Sequence, residues 1–251
     1  STNPVTIRGS TNWAAGGTRI DMNRDGPLVS MLGVNSLTFS DLTLTNARYG
    51  FTAQLSSNIV FNRTVVSGAA GISDAANLSA FGFRLDGSAA IQLNRVVVNA
   101  ITNRTGSAGI IINQLSGTLP GALSIQNSIL WSNAYGVWAQ SAAPVSISNS
   151  ILHAASPNAT ALRFVDASQF QANYNNYRIE PGARLAELQV VISTNSPTVS
   201  MPIYFTTLQS WRDYTGRDTN SLAYHPRFAD PAALNFALLS SAGRWTATGL
   251  V

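Results

Sequence analysis

The chain contains no cysteine and no lysine. Without thiols it can build neither a disulfide framework nor a thiolate metal site. Its positive charge is carried entirely by 15 arginines, which excludes chemistry that depends on a lysine base. Charge is scarce overall: 10% of the 251 residues are charged against 45% hydrophobic, with a net charge of +4. That apolar content suffices for one elongated core. No stretch of eighteen apolar residues occurs, so membrane insertion through a helix is not expected. No secretory leader is visible. The arginines are scattered rather than gathered into a patch, which argues against nucleic acid as a partner.

What is present is a recurring ten-residue phrase. It reads Asn35-Ser36-Leu37-Thr38-Phe39-Ser40-Asp41-Leu42-Thr43-Leu44, and returns at Ser57–Val66, Ala90–Val98, Ala122–Leu130 and Pro144–Leu152, with a looser copy from Phe170 to Tyr177. Its leading apolar residues are Leu37, Ile59, Ile91, Leu123, Val145 and Phe170, giving steps of 22, 32, 32, 22 and 25 residues. Repeats of this size mark solenoids and arrays. Within each phrase apolar and polar residues alternate on both sides of a corner at Asp41, Arg63, Arg95, Asn127 or Asn149. Asn and Asp tolerate the left-handed backbone that a one-residue corner requires. Arg63 and Arg95 break that column, so less ideal or wider corners are expected there.

A second motif precedes the phrase: Tyr49-Gly50-Phe51, Phe81-Gly82-Phe83, Ala108-Gly109-Ile110, Tyr135-Gly136-Val137 and Thr160-Ala161-Leu162. In four of these five its middle residue lies 9 residues before the next leading apolar residue. Projecting the same distance back from Leu37 implies an earlier pass through Val29 and Met31. Each unit therefore carries three short strands, and no helical period intervenes. This predicts an all-β chain wound as a right-handed parallel β-helix, three strands per coil and about six to eight coils. A β-sandwich also spaces strands regularly but does not account for the fixed offsets. The coils are assigned to residues 1–177. Residues 178–251 are assigned to irregular strands and a cap within the same domain. The chain opens inside the pattern, with Pro4-Val5-Thr6-Ile7-Arg8-Gly9 reading as strand and turn, so it is expected to be part of a larger protein.

Beyond Tyr177, Val190-Val191-Ile192 and Met201–Phe205 read as irregular strands. Thr207–Gly216 reads as one short helix, with Thr at the N-cap, Leu208 and Trp211 on one face and Gly just past the end. The last coil of a solenoid exposes its interior and needs such a lid. Trp211 is accordingly expected to anchor the cap. The series Asn173–Tyr177, Leu208–Trp211, Thr215-Gly216-Arg217-Asp218, Asn220–Leu222, Pro226–Pro231, Phe236–Leu238 and Ser240–Arg244, taken with the coils, resembles secreted bacterial β-helix proteins of the pectin-lyase-like superfamily. The resemblance implies the same architecture and an extracellular or cell-surface location. It leaves activity open, since that superfamily holds lyases, hydrolases, epimerases and non-enzymes.

Alternation places Phe51, Phe83, Ile110, Val137 and Leu162 inward. Two outward columns follow: Thr52, Arg84, Ile111, Trp138, Arg163, and Gln54, Asp86, Asn113, Gln140, Val165. Arginine, tryptophan, amides and a carboxylate are the mixture that sugar binding wants. Arg84, Asp86, Asn113, Trp138, Gln140 and Arg163 are therefore the candidate carbohydrate-binding residues. The connections entering this strand are long on two adjacent coils, Ser67–Ala80 and Asn99–Ser107, and an insertion near Leu115–Pro120 flanks the same coil. Loops on a rigid scaffold often carry function, and these are expected to wall a groove. In enzymes of the resembled superfamily the substrate groove lies on the corresponding sheet.

Catalytic signatures are missing. The Trp-x-Asp-His signature of pectate lyases is absent, as are the Asp-Asp, Gly-His-Gly and Arg-x-Lys motifs of polygalacturonases. Asp86 and Asp166 lie three coils apart, roughly 14 Å, too far for a glycosidase pair. Asp74 is a loop residue that could approach Asp86. No cofactor is expected. Calcium would need several oxygen ligands, and the strip offers only Asp86 with Asn113 and Gln54. Asp21-Met22-Asn23-Arg24-Asp25-Gly26 has a loose calcium-loop look and reads more simply as a polar turn. His153 and His225 show no evident Ser or Asp partner. Trp131 reads as packing rather than binding. The sequence thus leads to an extracellular module contacting polysaccharide, expected to be acidic because arginine grips carboxylates. The alternatives are a structural or adhesive stalk segment of a large surface protein, and a polysaccharide lyase or glycoside hydrolase with an unrecognised site.

Overall fold

The computed structural model describes residues 4–11, 17–68, 79–102, 106–115, 121–192, 199–239, 245–246 and 249–250, with backbone only for 22–25, 191–192, 199–200, 245–246 and 249–250. Among the described residues it is all-β with one helix, and its strands stack in long parallel sheets. A seven-stranded sheet is built from Val5–Arg8, Asn35–Ser40, Ser57–Asn62, Ala89–Asn94, Leu123–Gln126, Val145–Ser148 and Phe170–Asn173. We call this the first stack. Its register pairs Leu37 with Ile59, Ile59 with Ile91, Ile91 with Leu123, Leu123 with Val145 and Val145 with Phe170. These are the leading residues of the repeated phrase, so the sequence period is the layer period.

A larger sheet carries two further stacks. The second stack comprises Val65–Ser67, Val97–Asn99, Ile129–Trp131, Ile151–Ala154 and Asn176–Ile179. The third comprises Phe81–Asp86, Ala108–Asn113, Tyr135–Ala139, Thr160–Phe164 and Arg184–Ile192. The long strand Leu42–Gln54 joins them, pairing with Val65–Ser67 through its first half and with Phe81–Asp86 through its second. Thr18–Leu32 lies against it along its whole length and pairs Val29 with Phe51 and Met31 with Ala53, as the back-projection from Leu37 expects. Asp21–Gly26 runs within this strand, with register shifts at Arg24, and is not a turn. Parallel pairing also continues past Tyr177: Asn176–Ile179 joins Ile151–Ala154, and Arg184–Ile192 joins Thr160–Phe164.

The corners are left-handed throughout, with φ of 59° at Asp41, 48° at Arg63, 55° at Arg95, 52° at Asn127 and 49° at Asn149. The arginine corners take the same left-handed backbone as the others, which suits arginine less well than Asn or Asp. A non-glycine residue in this region costs roughly 1–2 kcal/mol. At Arg63 a specific contact offsets that cost. Its Nε and Nη2 reach Asp41 Oδ1 and Oδ2 at 2.6 and 2.8 Å, across one layer. Asp41 is fully buried, and these bonds hold its carboxyl below the ordinary value.

Phe51, Phe83, Ile110, Val137 and Leu162 are all wholly buried, so the inward assignment holds. The glycines before the first four of them have a packing role. A Cβ on Gly82 would lie 2.6 Å from the Gly109 carbonyl oxygen and 2.6 Å from Val98 Cγ1. The second and third stacks meet too closely there for a side chain. At the capped end, Leu208–Thr215 forms the helix. Thr207 Oγ1 accepts from Ser210 N at its N-cap, and Gly216 closes it at φ 67°. Trp211 is wholly buried against Phe170 and Phe205.

Candidate functional site

Parallel in-register stacking turns sequence columns into physical ones. Thr52 pairs with Arg84, Arg84 with Ile111, Ile111 with Trp138 and Trp138 with Arg163. Gln54 pairs with Asp86, and Asp86 with Asn113. Gln140 follows the end of its strand, and its N–H donates to Ile112 O at 2.9 Å. All six candidate residues therefore belong to one wall, the outer face of the third stack.

Their side chains bond to one another. Arg84 Nε donates to Asp86 Oδ2 at 2.8 Å, and Asn113 Nδ2 donates to Asp86 Oδ1 at 2.6 Å. Asp86 is thus the hub of a three-residue network spanning two layers. Arg163 lies over two rings, 4.5 Å from the Trp138 centroid and 4.8 Å from that of Tyr135. Its Nε is 3.1 Å from Glu187 Oε1, in ion-pair contact but outside hydrogen-bond alignment. Glu187 is buried and also accepts from Gln189 Nε2 at 2.5 Å.

Three features of this wall were missed by sequence reasoning. Glu187 pairs with Arg163 because the third stack gains another layer, with Ala186 opposite Leu162. The 24-residue step from Leu162 to Ala186 was the available signal. Tyr135 belongs to a further outward column, Tyr49, Phe81, Ala108, Tyr135, whose signal was the residue before each motif glycine. Third, Ile111 is buried rather than open. It forms a second apolar cluster with Phe81 and Ala108, against which Tyr49, Tyr135 and Trp138 pack. The wall is thus part small hydrophobic core and part polar network. The groove walls expected from Ser67–Ala80, Asn99–Ser107 and Leu115–Pro120 fall largely on residues 69–78, 103–105 and 116–120, and these, with Asp74, lie outside the described residues.

Comparison with protein-family models, curated proteins and solved structures gives no match to this chain. The chemistry must therefore be read from the residues alone. Among the described residues no group of three or more His, Cys, Asp or Glu is placed to hold a metal ion. Asp21 accepts from Arg19 Nη2 and Asn46 Nδ2 at 3.0 and 2.9 Å.

His153, unpartnered in the sequence, acquires partners in the fold. On the outer face of the second stack its Nδ1 lies 3.3 Å from Ser132 Oγ and its Nε2 3.5 Å from Glu180 Oε1. The ring packs tilted by 32° against Trp131 with centroids 3.8 Å apart, and Phe228 closes on Trp131 from the C-terminal hairpin Phe228–Asp230 and Asn235–Leu238. Arg178 draws Glu180 away through bonds of 2.8 and 3.0 Å. With the imidazole buried under rings and its acid engaged elsewhere, the cluster is a packing knot and not an assembled triad.

Burial lowers the His153 pKa against the pull of Glu180, with Arg178 and His225 adding to the lowering. Burial raises that of Glu180, but Arg178 and His153 outweigh it and the net direction is down, so this carboxylate stays charged in the histidine range. A histidine with a depressed folded pKa binds fewer protons than in the unfolded chain. Its contribution is intact above the unfolded value of about 6.5 and is lost as pH falls below it. The urea midpoint should therefore drop between pH 7 and 5.5, and His153→Gln should flatten that drop. An equal drop in the variant would assign the effect elsewhere.

Proposed function

We propose that this chain is a right-handed parallel β-helix module, of about six to eight coils, that contacts polysaccharide along the outer wall of the third stack. The reading is of binding rather than catalysis, in an extracellular or cell-surface setting. The observation that carries it is the alignment of Arg84, Ile111, Trp138 and Arg163 in one column beside Gln54, Asp86 and Asn113. A tryptophan flanked at one strand spacing by planar polar groups suits a sugar chain, with a C–H face on the ring and hydroxyls on amides and carboxylate.

The arginines now weigh less than the sequence suggests. Arg84 is matched to Asp86 and Arg163 to Glu187. An acidic polymer would have to compete with these internal pairs, so ring contact and hydroxyl bonding take precedence over charge. Binding should accordingly change little between low and physiological salt, because screening acts chiefly on exposed unpaired charges.

Trp138→Ala tests the proposal directly. Glycan-array binding by the parent chain and its loss by tenfold or more in the variant is the expected result, equivalent to about 1.4 kcal/mol. Absence of binding to every neutral and acidic polymer would remove the reading. It would leave the stalk, which has its own support. Among the described residues the strands Val5–Arg8 and Thr18–Leu32 are outermost in their sheets, and Val5, Ile7 and Ile20 are exposed at that end. Such an edge suits stacking against a further strand layer.

A further inference from the structure

The outward polar column does not stop at Gln140. Phe164 pairs with Leu188, so Val165 and Gln189 continue it into the capped end of the stack. There the chain leaves the strand and turns through Asp166, Ala167 and Ser168, while the last turn of the helix approaches from the other side. The two meet around an open cleft of about 440 Å³, lined by Val165, Asp166, Leu188, Gln189, Tyr214 and Arg217 among others. This is within the size range of small-ligand sites.

The cleft is braced. Asp166 Oδ1 accepts from Ser168 N at 2.7 Å, which fixes the carboxylate and leaves Oδ2 to a ligand. Gly216, in the left-handed region, returns the chain so that Arg217 Nη2 donates to Ser168 O at 2.9 Å and ties the two sides together. Tyr214 is 53% exposed, yet its ring is supported by Phe205 at 5.1 Å. Leu188 and Ala167 are buried and give an apolar floor.

We infer that this cleft is a second sugar subsite, taking an uncharged hexose residue of the same polymer. The inference rests on the polysaccharide reading of the wall above it. Tyr214 offers a ring for the C–H side of a pyranose and Asp166 Oδ2 an acceptor for a hydroxyl, while Gln189 Nε2 stays bonded to Glu187 and serves only as lining. The carboxylate of Asp166 repels a uronate, and the Arg217 guanidinium, tied to the Ser168 and Thr215 carbonyls, balances it, so the lining carries no net charge to draw in an anion. The neutral sugar is therefore the better fit.

The test compares the parent chain with Tyr214→Ala, Asp166→Asn and Trp138→Ala, using saturation-transfer NMR and titration with neutral hexose hexamers of several linkages and with oligogalacturonate. Circular dichroism confirms that each variant is folded. The expected result is binding of a neutral oligomer that weakens at least tenfold in both Tyr214→Ala and Asp166→Asn. If those two bind as the parent does while Trp138→Ala does not, the cleft assignment fails and the wall remains. If the parent binds oligogalacturonate in preference and Asp166→Asn strengthens that binding, the assignment to an uncharged sugar is overturned. If the parent binds nothing, both readings fall together.

Discussion

Asp218→Ala is expected to detach the C-terminal cap from the stack. Asp218 is wholly buried and is the common acceptor for four side chains: Trp211 Nε1 at 3.1 Å, Tyr177 OH at 3.0 Å, Asn175 Nδ2 at 3.2 Å and Ser221 Oγ at 2.5 Å. Burial, reinforced by the Asp218 charge, holds the Tyr177 hydroxyl well above its ordinary value, so it stays protonated and donates. Arg212 completes the knot by donating from Nε to the Asp218 carbonyl at 2.8 Å and from Nη2 to the Ser221 carbonyl. Removing the carboxylate strands the Trp211, Tyr177 and Ser221 donors and leaves Asn175 Nδ2 only its bond to Ile147 O. At about 1–3 kcal/mol for each unsatisfied group, a loss of roughly 4 kcal/mol or more is expected. Urea unfolding followed by Trp fluorescence reads it directly. Asp218→Asn, which keeps one acceptor oxygen, should fall between the parent and Ala. A loss under about 1 kcal/mol would mean that water replaces the carboxylate and that the cap is held by Trp211 packing alone.

Phe83→Ala is the second large effect. Phe83 is wholly buried, stacked on Phe51 at 5.2 Å and edge-on to Phe61 at 5.0 Å. Phe39 extends the group, 5.1 Å from both Phe51 and Phe61. The rings occupy successive layers of the first and third stacks, so each one bridges two faces of the core. Truncating a buried Phe leaves a cavity and costs about 3–5 kcal/mol. Thermal or urea unfolding should show a loss in that range. Trp138→Ala removes a larger ring but from the outer wall, and its effect on stability should be smaller than its effect on binding. Equal stability losses at the two positions would indicate that the outer apolar cluster around Ile111 and Phe81 belongs to the main core.

What the sequence determined was the layer. Parallel strands in register place a residue about 4.8 Å from its equivalent one repeat away, so a column can be read off the chain once the period is known. The pairing of Leu37 with Ile59, the inward Phe51 and Phe83, the outward Arg84 and Trp138 and the left-handed corners at Asp41, Asn127 and Asn149 all follow from that rule. The helix after Thr207 was equally legible, because its caps are local. Contacts that leave the column were decided only by the tertiary structure. Ser132 and Glu180 reach His153, and Asp218 gathers Tyr177 and Trp211, through chain paths that no period governs, whereas Glu187 meets Arg163 in register, in a layer beyond those the repeat marks. These are also the contacts that fix charge. A column counts which side chains share a wall, but the neutralisation of its arginines depends on carboxylates delivered from the next layer or from two residues along the same strand, where side-chain reach decides the pairing.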